Sequence, residues 1–120
     1  MILNEFREGL EKWWMETNSR EMNQKNSHGA LLALMELYKR LRPEEKELAD
    51  VVIAEWVVSQ DEHKRFDALA MVDYFLIRAA SSQLARAESE LLGRRDHEAS
   101  YELAKIRRVL DRLRKTEQPL

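Results

Sequence analysis

Cysteine is absent from this 120-residue chain, and glycine, proline and aromatic residues are scarce. Without cysteine, the protein can form no disulfide, zinc–thiolate site or thiol nucleophile. With only 3 glycines and 2 prolines, few residues interrupt helices, and abundant Leu, Ala, Glu and Arg favour them. Since the chain is long enough to bury an apolar core, we expect an all-α protein that needs no cross-links.

The chain also lacks a long apolar run: none approaches the ~18 residues that a membrane-spanning helix needs. Its first five residues include an acid and no base, so they do not resemble the start of a signal peptide. A net charge of −2 gives no general attraction to membranes or nucleic acid. We expect a soluble, cytoplasmic protein that does not contact membranes.

Hydrophobic periodicity and capping residues predict six helices. They cover about residues 2–17, 28–41, 43–58, 62–78, 82–92 and 97–115, with a polar loop over residues 18–26. The predicted N-caps are Ser27, then Ser59 or Asp61, then Ser81 or Ser82, and finally Asp96. Gly93 is expected to end the fifth helix in a left-handed conformation, and Gly9 should either face a close neighbour or weaken the first helix.

The dipeptide Leu-Ala recurs along the chain. One series starts at Leu32, Leu69 and Leu103, spaced by 37 and 34 residues, and a second starts at Leu48 and Leu84, spaced by 36. A period of roughly 35 residues suits a hairpin of two helices, the unit of an α-solenoid. We expect each dipeptide to lie on or beside an inward-facing stripe.

One stretch resembles a known repeat type. Residues 65–91 are similar to a HEAT-like repeat, with Ala68, Leu69 and Val72 in its first helix and Leu84, Ala87 and Leu91 in its second. It departs from the usual pattern at Ser82, where a proline often opens the second helix. The resemblance implies three stacked hairpins, although a compact six-helix bundle has the same spacing. In either case, residues 1–115 form a single helical domain and residues 116–120 a frayed tail.

The residues that could carry catalysis are scattered. His28, His63 and His97 lie near predicted helix starts, and none belongs to a metal-binding motif. His63 and Asp67 share a helix face at i,i+4 spacing, but two ligands do not make a metal site. Without a phosphate-binding loop or serine nucleophile motif, we expect no catalytic residues, metal or cofactor.

Asp73 is the one anomalous residue, because it falls on or beside the predicted inward stripe of the fourth helix. That stripe contains Phe66, Leu69, Ala70, Val72, Leu76 and Ile77. A buried carboxylate needs a partner, so Asp73 is expected to accept hydrogen bonds from backbone N–H groups near Ser81 and Ser82 or to pair with an arginine such as Arg86. The alternative interpretation makes Asp73 a catalytic or ligand-binding acid.

Charge is distributed unevenly, with an acidic segment over residues 44–62 and a basic one over residues 105–115. The predicted partner-binding residues on these segments are Glu44, Glu45, Glu47, Glu55, Arg107, Arg108 and Arg112. Asp111 is the only acid within the basic run, so most of this charge is expected to need another partner. That partner could be nucleic acid or the acidic segment of a second copy.

Trp13 and Trp14 complete the predicted contact surface. Adjacent residues point about 100° apart on a helix, so one indole should lie in the core and the other should be partly exposed. An exposed tryptophan suits a protein interface. Alternatively, the third helix covers both through Trp56.

In its small size, slight acidity and lack of a catalytic cluster, the chain resembles bacterial immunity proteins, which neutralise a partner toxin by covering its active surface. The resemblance implies contacts through the acidic segment and through Trp13 or Trp14. We therefore expect a non-catalytic protein–protein interaction module. The alternative is a nucleic-acid-binding helical-repeat protein that uses Arg107, Arg108, Arg112, Arg114 and Lys115.

Overall fold

The computed structural model describes residues 2–23 and 29–117, and it describes the side chains of residues 2–17 and 31–115. Within these ranges the protein is all-α, as the composition predicts, with no β-strand. The helices are α1 (Leu3–Asn23), α2 (Gly29–Arg40), α3 (Pro43–Trp56), α4 (Glu62–Phe75), α5 (Ser81–Leu92) and α6 (His97–Glu117). A short 3₁₀ helix, Arg78–Ala80, precedes α5. No described helix is both long enough and apolar enough to span a membrane.

The chain divides into two compact units, residues 1–52 and 53–120, with the division inside α3. In the first unit α1 packs against α2, and α1 continues to Asn23. The loop predicted over residues 18–26 is therefore wrong for residues 18–23, whose backbone is helical. Residues 24–28, with the predicted cap Ser27, lie outside the described residues.

The start of α3 follows from its sequence. Pro43 occupies the first helical position, where its missing N–H costs no hydrogen bond. The Glu45 carboxylate accepts a 3.1 Å hydrogen bond from the Arg42 backbone N–H and pairs with the Arg42 side chain. This arrangement is the glutamate half of a capping box, and the backbone hydrogen bond is the main reason that the pKa of Glu45 is lowered.

The α4 helix begins and ends for different reasons. Asp61, one of the two predicted caps, lies at its start and accepts a 3.1 Å hydrogen bond from the Lys64 backbone N–H. The helix ends at Phe75 rather than near Arg78, because Leu76 adopts a left-handed conformation with φ 55° and ψ 56°. The Ile77 N–H then bonds back to the Val72 carbonyl, and the Ile77 side chain is buried.

Both predictions for the ends of α5 are wrong. Ala80 occupies the N-cap position with no side-chain hydrogen bond, so neither Ser81 nor Ser82 caps this helix. Gly93 has a φ of −78°, so it does not supply a left-handed stop. For α6 the predicted cap is confirmed, because Asp96 Oδ1 accepts a 2.8 Å hydrogen bond from the Ala99 N–H.

In the second unit, α6 packs against both α5 and α4. The buried side chains of this unit come from all three helices and include Ala68, Met71, Val72, Leu84, Ile106, Val109 and Leu113. The apolar spacing predicts inward stripes of Leu84, Ala87 and Leu91 on α5 and of Ala99, Leu103, Ile106, Leu110 and Leu113 on α6. All of these residues are buried apart from Leu103, which is half-buried. The α6 backbone stays helical to Glu117, two residues beyond the predicted end of the domain.

The Leu-Ala dipeptides do not mark a repeated core position. Leu84 and Ala49 are buried, but Leu32 is 59% exposed and Ala104 is exposed. Each dipeptide contains at least one buried or half-buried residue, which fits a position on or beside an inward stripe, but its leucine does not always fill the core. The HEAT-like repeat stays a prediction that these positions neither support nor contradict.

Candidate interaction surface

The predicted acidic contact residues differ in their surroundings. Glu44 and Glu47 are exposed, whereas Glu45 and Glu55 are half-buried. Glu44 Oε1 lies 3.5 Å from Arg42 Nε, beside the Arg42–Glu45 pair. Glu45 therefore holds the start of α3 in place, so it offers less to a partner than Glu44 and Glu47 do.

The two adjacent tryptophans separate as their helical geometry predicts. Trp14 is buried at 3% exposure, and Trp13 is half-buried. Because a buried indole offers little surface, the interface predicted at this dipeptide now depends on Trp13. The exposed apolar side chain that follows the dipeptide is Met15, at 61% exposure.

The basic helix α6 is neutralised more fully than its sequence indicated. Arg107 Nε lies 3.2 Å from Glu88 Oε2 on α5, and Arg112 pairs with Asp73 on α4. Lys115 Nζ lies 3.1 Å from Asp111 Oδ2. The prediction that this charge needs a partner outside the chain is therefore wrong for Arg107 and Arg112, because acids of α5 and α4 neutralise them.

Two arginines of the basic segment, Arg108 and Arg114, have no ion-pair partner among the described side chains. They are six positions apart in the sequence, which places them about 120° apart around the helix axis. They therefore do not form one phosphate-binding face. Nucleic-acid binding through α6 stays a prediction, with a smaller unpaired basic surface than the sequence implied.

Asp73 is not the buried acid of α4. Its side chain is 32% exposed and pairs with an arginine, which was one of the two expectations, but that arginine is Arg112 and not Arg86. The other expectation, hydrogen bonds near Ser81, is wrong. The buried carboxylate belongs to Asp67, which is 1% exposed and lies 3.7 Å from His63 Nε2. The i,i+4 spacing predicted this closeness, although it could not show that Asp67 is buried.

The described residues contain no group of three His, Cys, Asp or Glu side chains placed to hold a metal ion. His97 is exposed, and His28 lies outside the described residues. Every buried side-chain nitrogen or oxygen in the described part of the chain has a hydrogen-bond partner. These residues therefore offer no unsatisfied polar group around which a ligand site could be built.

The second unit has a groove between α4 and α6. These helices run in the same direction, because Arg65 pairs with Glu102 near their starts and Asp73 pairs with Arg112 further along. The wider end of the groove has a volume of about 380 Å³. Its lining includes Phe66, Leu69, Ala70, Tyr101, Lys105 and Val109.

Two exposed aromatic rings and a lysine form the centre of this groove. Phe66 is 45% exposed and Tyr101 is 64% exposed. Lys105 Nζ lies 4.9 Å from the centre of the Phe66 ring and 4.5 Å from that of Tyr101. Both distances suit cation–π contact, so the lysine holds the rings of the two helices together at the surface.

Phe66 was predicted to face inward, and its exposure shows that this prediction is wrong. The buried face of α4 is formed by Asp67, Ala68, Met71 and Val72. Leu69 and Ala70 are half-buried and line the groove. The predicted inward stripe is therefore rotated, and part of it forms the floor and rim of the α4–α6 groove.

The groove carries opposite charges at its two ends. Glu62 and Glu98 line the end where both helices begin, and Arg108 lines the other. These three side chains have no ion-pair partner among the described residues. Between them, Glu102 is paired with Arg65 and Lys105 contacts the aromatic rings.

Comparisons with protein-family models, with characterised proteins and with solved structures find no match to this chain.

Proposed function

We propose that this protein is a non-catalytic protein–protein interaction module that binds through the α4–α6 groove. The observation that supports it most is the exposure of Phe66 and Tyr101 on either side of Lys105. Exposed aromatic side chains beside an apolar floor are typical of interfaces, where tyrosine and phenylalanine are enriched. A groove between two helices also suits an approaching helix, whose apolar side chains would fill it.

The charged groups around the groove support recognition of another protein chain. Free carboxylates at one end and a free guanidinium at the other would orient a partner of opposite polarity. A groove for a nucleic acid would instead present mostly cations. Here the lining has four acids and four bases: Glu62, Asp73, Glu98 and Glu102 balance Arg65, Arg94, Lys105 and Arg108. The balance therefore favours a protein ligand over a polyanion.

The experiment is affinity capture, with a tagged copy of the chain, from the cells in which the protein is native. In parallel, a tagged second copy of the chain is tested as the captured protein. Tyr101→Ser removes the most exposed aromatic side chain of the groove. Tyr74→Ser is the matched control, because Tyr74 is 59% exposed and does not line the groove. We expect the wild type and Tyr74→Ser to retain the partner, with at least about tenfold less retained by Tyr101→Ser.

Retention of a partner by both tyrosine variants and by the double variant Phe66→Ser/Tyr101→Ser would show that the groove is not the binding site. Absence of any protein partner, including a second copy, would contradict the interaction function itself.

A narrower form of the proposal is an immunity-type role, in which the partner is a toxin that the chain neutralises. It depends on the small size and slight acidity of the protein, on its lack of a catalytic cluster in the sequence, and on the exposed acids Glu44 and Glu47. The test is whether the purified chain inhibits the captured partner's activity at stoichiometric ratio, and whether Glu44→Lys/Glu47→Lys reduces that inhibition. A captured partner with unchanged activity would contradict this role while leaving the interaction function intact.

A further inference from the structure

The outer face of α6 carries a stripe with an unusual order of charges. Glu98, Tyr101, Lys105 and Arg108 follow one another at spacings of three, four and three residues, which places them on one side of the helix. Glu98 and Arg108 are exposed, Tyr101 is 64% exposed and Lys105 is half-buried. At about 1.5 Å per residue, the acid and the arginine lie about 15 Å apart along the helix.

This stripe is symmetric about Leu103. Glu98 and Arg108 each lie five residues from that point, and Tyr101 and Lys105 each lie two residues from it. A two-fold axis perpendicular to α6, lying between two copies at the level of Leu103, would bring Glu98 of one copy opposite Arg108 of the other, twice. The same rotation would place Tyr101 of each copy opposite Lys105 of the other, so every contact would join complementary groups.

We propose that two copies of this chain associate as an antiparallel pair along the Glu98–Arg108 stripe of α6. The inference rests on the proposed function, since it identifies the protein that the groove binds as a second copy. The spacing is the one by which helices pack in antiparallel coiled coils. The existing Lys105–Tyr101 contact holds both side chains in the positions that the second copy would meet.

The neighbouring helix α4 extends the same surface. Glu62 lies at the acidic end beside Glu98, and Phe66 lies near the centre beside Lys105. A second copy would therefore cover the exposed aromatic surface at the centre and neutralise unpaired charges at both ends. Because these ion pairs lie at the rim, the association should weaken as the salt concentration rises.

The experiment measures self-association of the full chain by sedimentation velocity over a range of protein concentrations. Glu98→Arg places arginine opposite arginine at both ends of the symmetric pair, and Arg108→Glu places glutamate opposite glutamate. We expect each single variant to self-associate at least about tenfold more weakly than the wild type. Circular dichroism of each variant establishes that the helices are retained.

The decisive measurement is the self-association of a mixture of the two single variants. In the mixed pair, arginines at 98 and 108 of one chain face glutamates at 108 and 98 of the other, so association should return to near the wild-type level. Arg114→Glu is the matched control: Arg114 is an exposed arginine of α6 with no described ion-pair partner, on the opposite side from Lys105. This variant should behave like the wild type.

A wild-type chain that stays monomeric would overturn the inference, and so would a mixture of variants no more associated than either alone. An equal loss in Arg114→Glu would also contradict it, because net charge and not the stripe would then control association. If the wild type is monomeric but Tyr101→Ser still loses a different captured protein, the inference fails and the proposed function stands. If neither copy nor any other protein binds, both fail.

Discussion

Arg65 Nε donates a hydrogen bond to Glu102 Oε1 across 2.9 Å, and this ion pair joins α4 to α6. The Arg65 guanidinium also donates from Nη1 to the backbone carbonyls of Ser59 and Gln60, at 2.9 and 3.3 Å. One half-buried arginine thereby fixes the loop before α4 and the start of α6. These contacts of Arg65 set the alignment of α4 and α6 and therefore the shape of the groove between them.

We expect this pair to stabilise the second unit more than an exposed pair does. The side chains of Arg65 and Glu102 are 26% and 30% exposed, so water screens them only in part. A double-mutant cycle with Arg65→Ala and Glu102→Ala should give a coupling energy of about 1 kcal/mol in urea unfolding. The control cycle is the exposed Arg86–Glu90 pair on α5, which should give about 0.3 kcal/mol. Equal coupling energies in the two cycles would show that the alignment does not depend on Arg65.

Gly9→Ala should stabilise the protein. Gly9 lies inside α1, and a Cβ added there would meet no atom within 4 Å, so the first of the two sequence explanations, a close neighbour, is wrong. Alanine in a helix interior is favoured over glycine by about 1 kcal/mol, so the free energy of unfolding should rise by about that amount. Gly93→Ala is the comparison, because Gly93 lies just after α5 and should gain only from the restricted unfolded chain, so its stability should rise less than that of Gly9→Ala. A decrease in stability on Gly9→Ala would mean that this part of α1 needs the smaller residue.

The caps of α4 and α5 should respond differently to alanine. Asp61→Ala removes the acceptor for the Lys64 N–H and should cost about 1 kcal/mol of unfolding free energy. Asp61→Asn keeps an acceptor and should retain most of the stability. Ser81→Ala should be close to neutral, because α5 has no side-chain cap. A loss in Ser81→Ala as large as in Asp61→Ala would contradict the assigned start of α5.

Asp50 should make stability depend on pH in the direction opposite to most carboxylates. The Tyr38 hydroxyl donates a 2.7 Å hydrogen bond to Asp50 Oδ1, but burial outweighs it and raises the pKa of Asp50 above its usual value. The folded state therefore holds this proton more tightly than the unfolded chain does. The contribution of Asp50 is greatest at low pH and falls as the pH rises through the pKa of the unfolded and then of the folded state.

Asp50→Asn removes that titration while keeping an acceptor for Tyr38. Relative to the wild type, the variant should gain unfolding free energy as the pH rises from about 3 to about 6, a range that spans the titration of exposed carboxyls. Urea unfolding at several pH values measures the difference. Tyr38→Phe is the companion variant, which should steepen the wild-type trend because Asp50 then loses its donor. A constant difference between Asp50→Asn and the wild type would show that Asp50 has the same pKa in both states.

The sequence predicted most helices because their signals are local. Pro43, Asp61 and Asp96 mark helix starts through hydrogen bonds or backbone geometry that involve only the next few residues. The inward stripes of α5 and α6 were also readable, since their apolar residues are concentrated on one side. By contrast, the end of α4 was missed because leucine at position 76 adopts a conformation that usually indicates glycine.

The candidate site was largely missed because α4 has apolar residues on all sides. Periodicity alone could not decide whether Phe66 or Met71 faces the core, and it selected the wrong one. The sequence also did not predict which acids neutralise α6, since Glu88 and Asp73 lie 19 and 39 residues from their arginine partners. Such distant pairs become visible only when the helices are packed together.

The sequence by itself determined the all-α class, the number of helices and most of their starts, because backbone hydrogen bonding and capping act over a few neighbouring residues. Tertiary structure decided which face of α4 is buried, which arginines of α6 are neutralised and which aromatic rings reach the surface. These outcomes depend on how α4, α5 and α6 share a limited interior, and no single helix contains that information. The exposed Phe66–Lys105–Tyr101 surface is therefore a product of packing, although each of its residues is plain in the sequence.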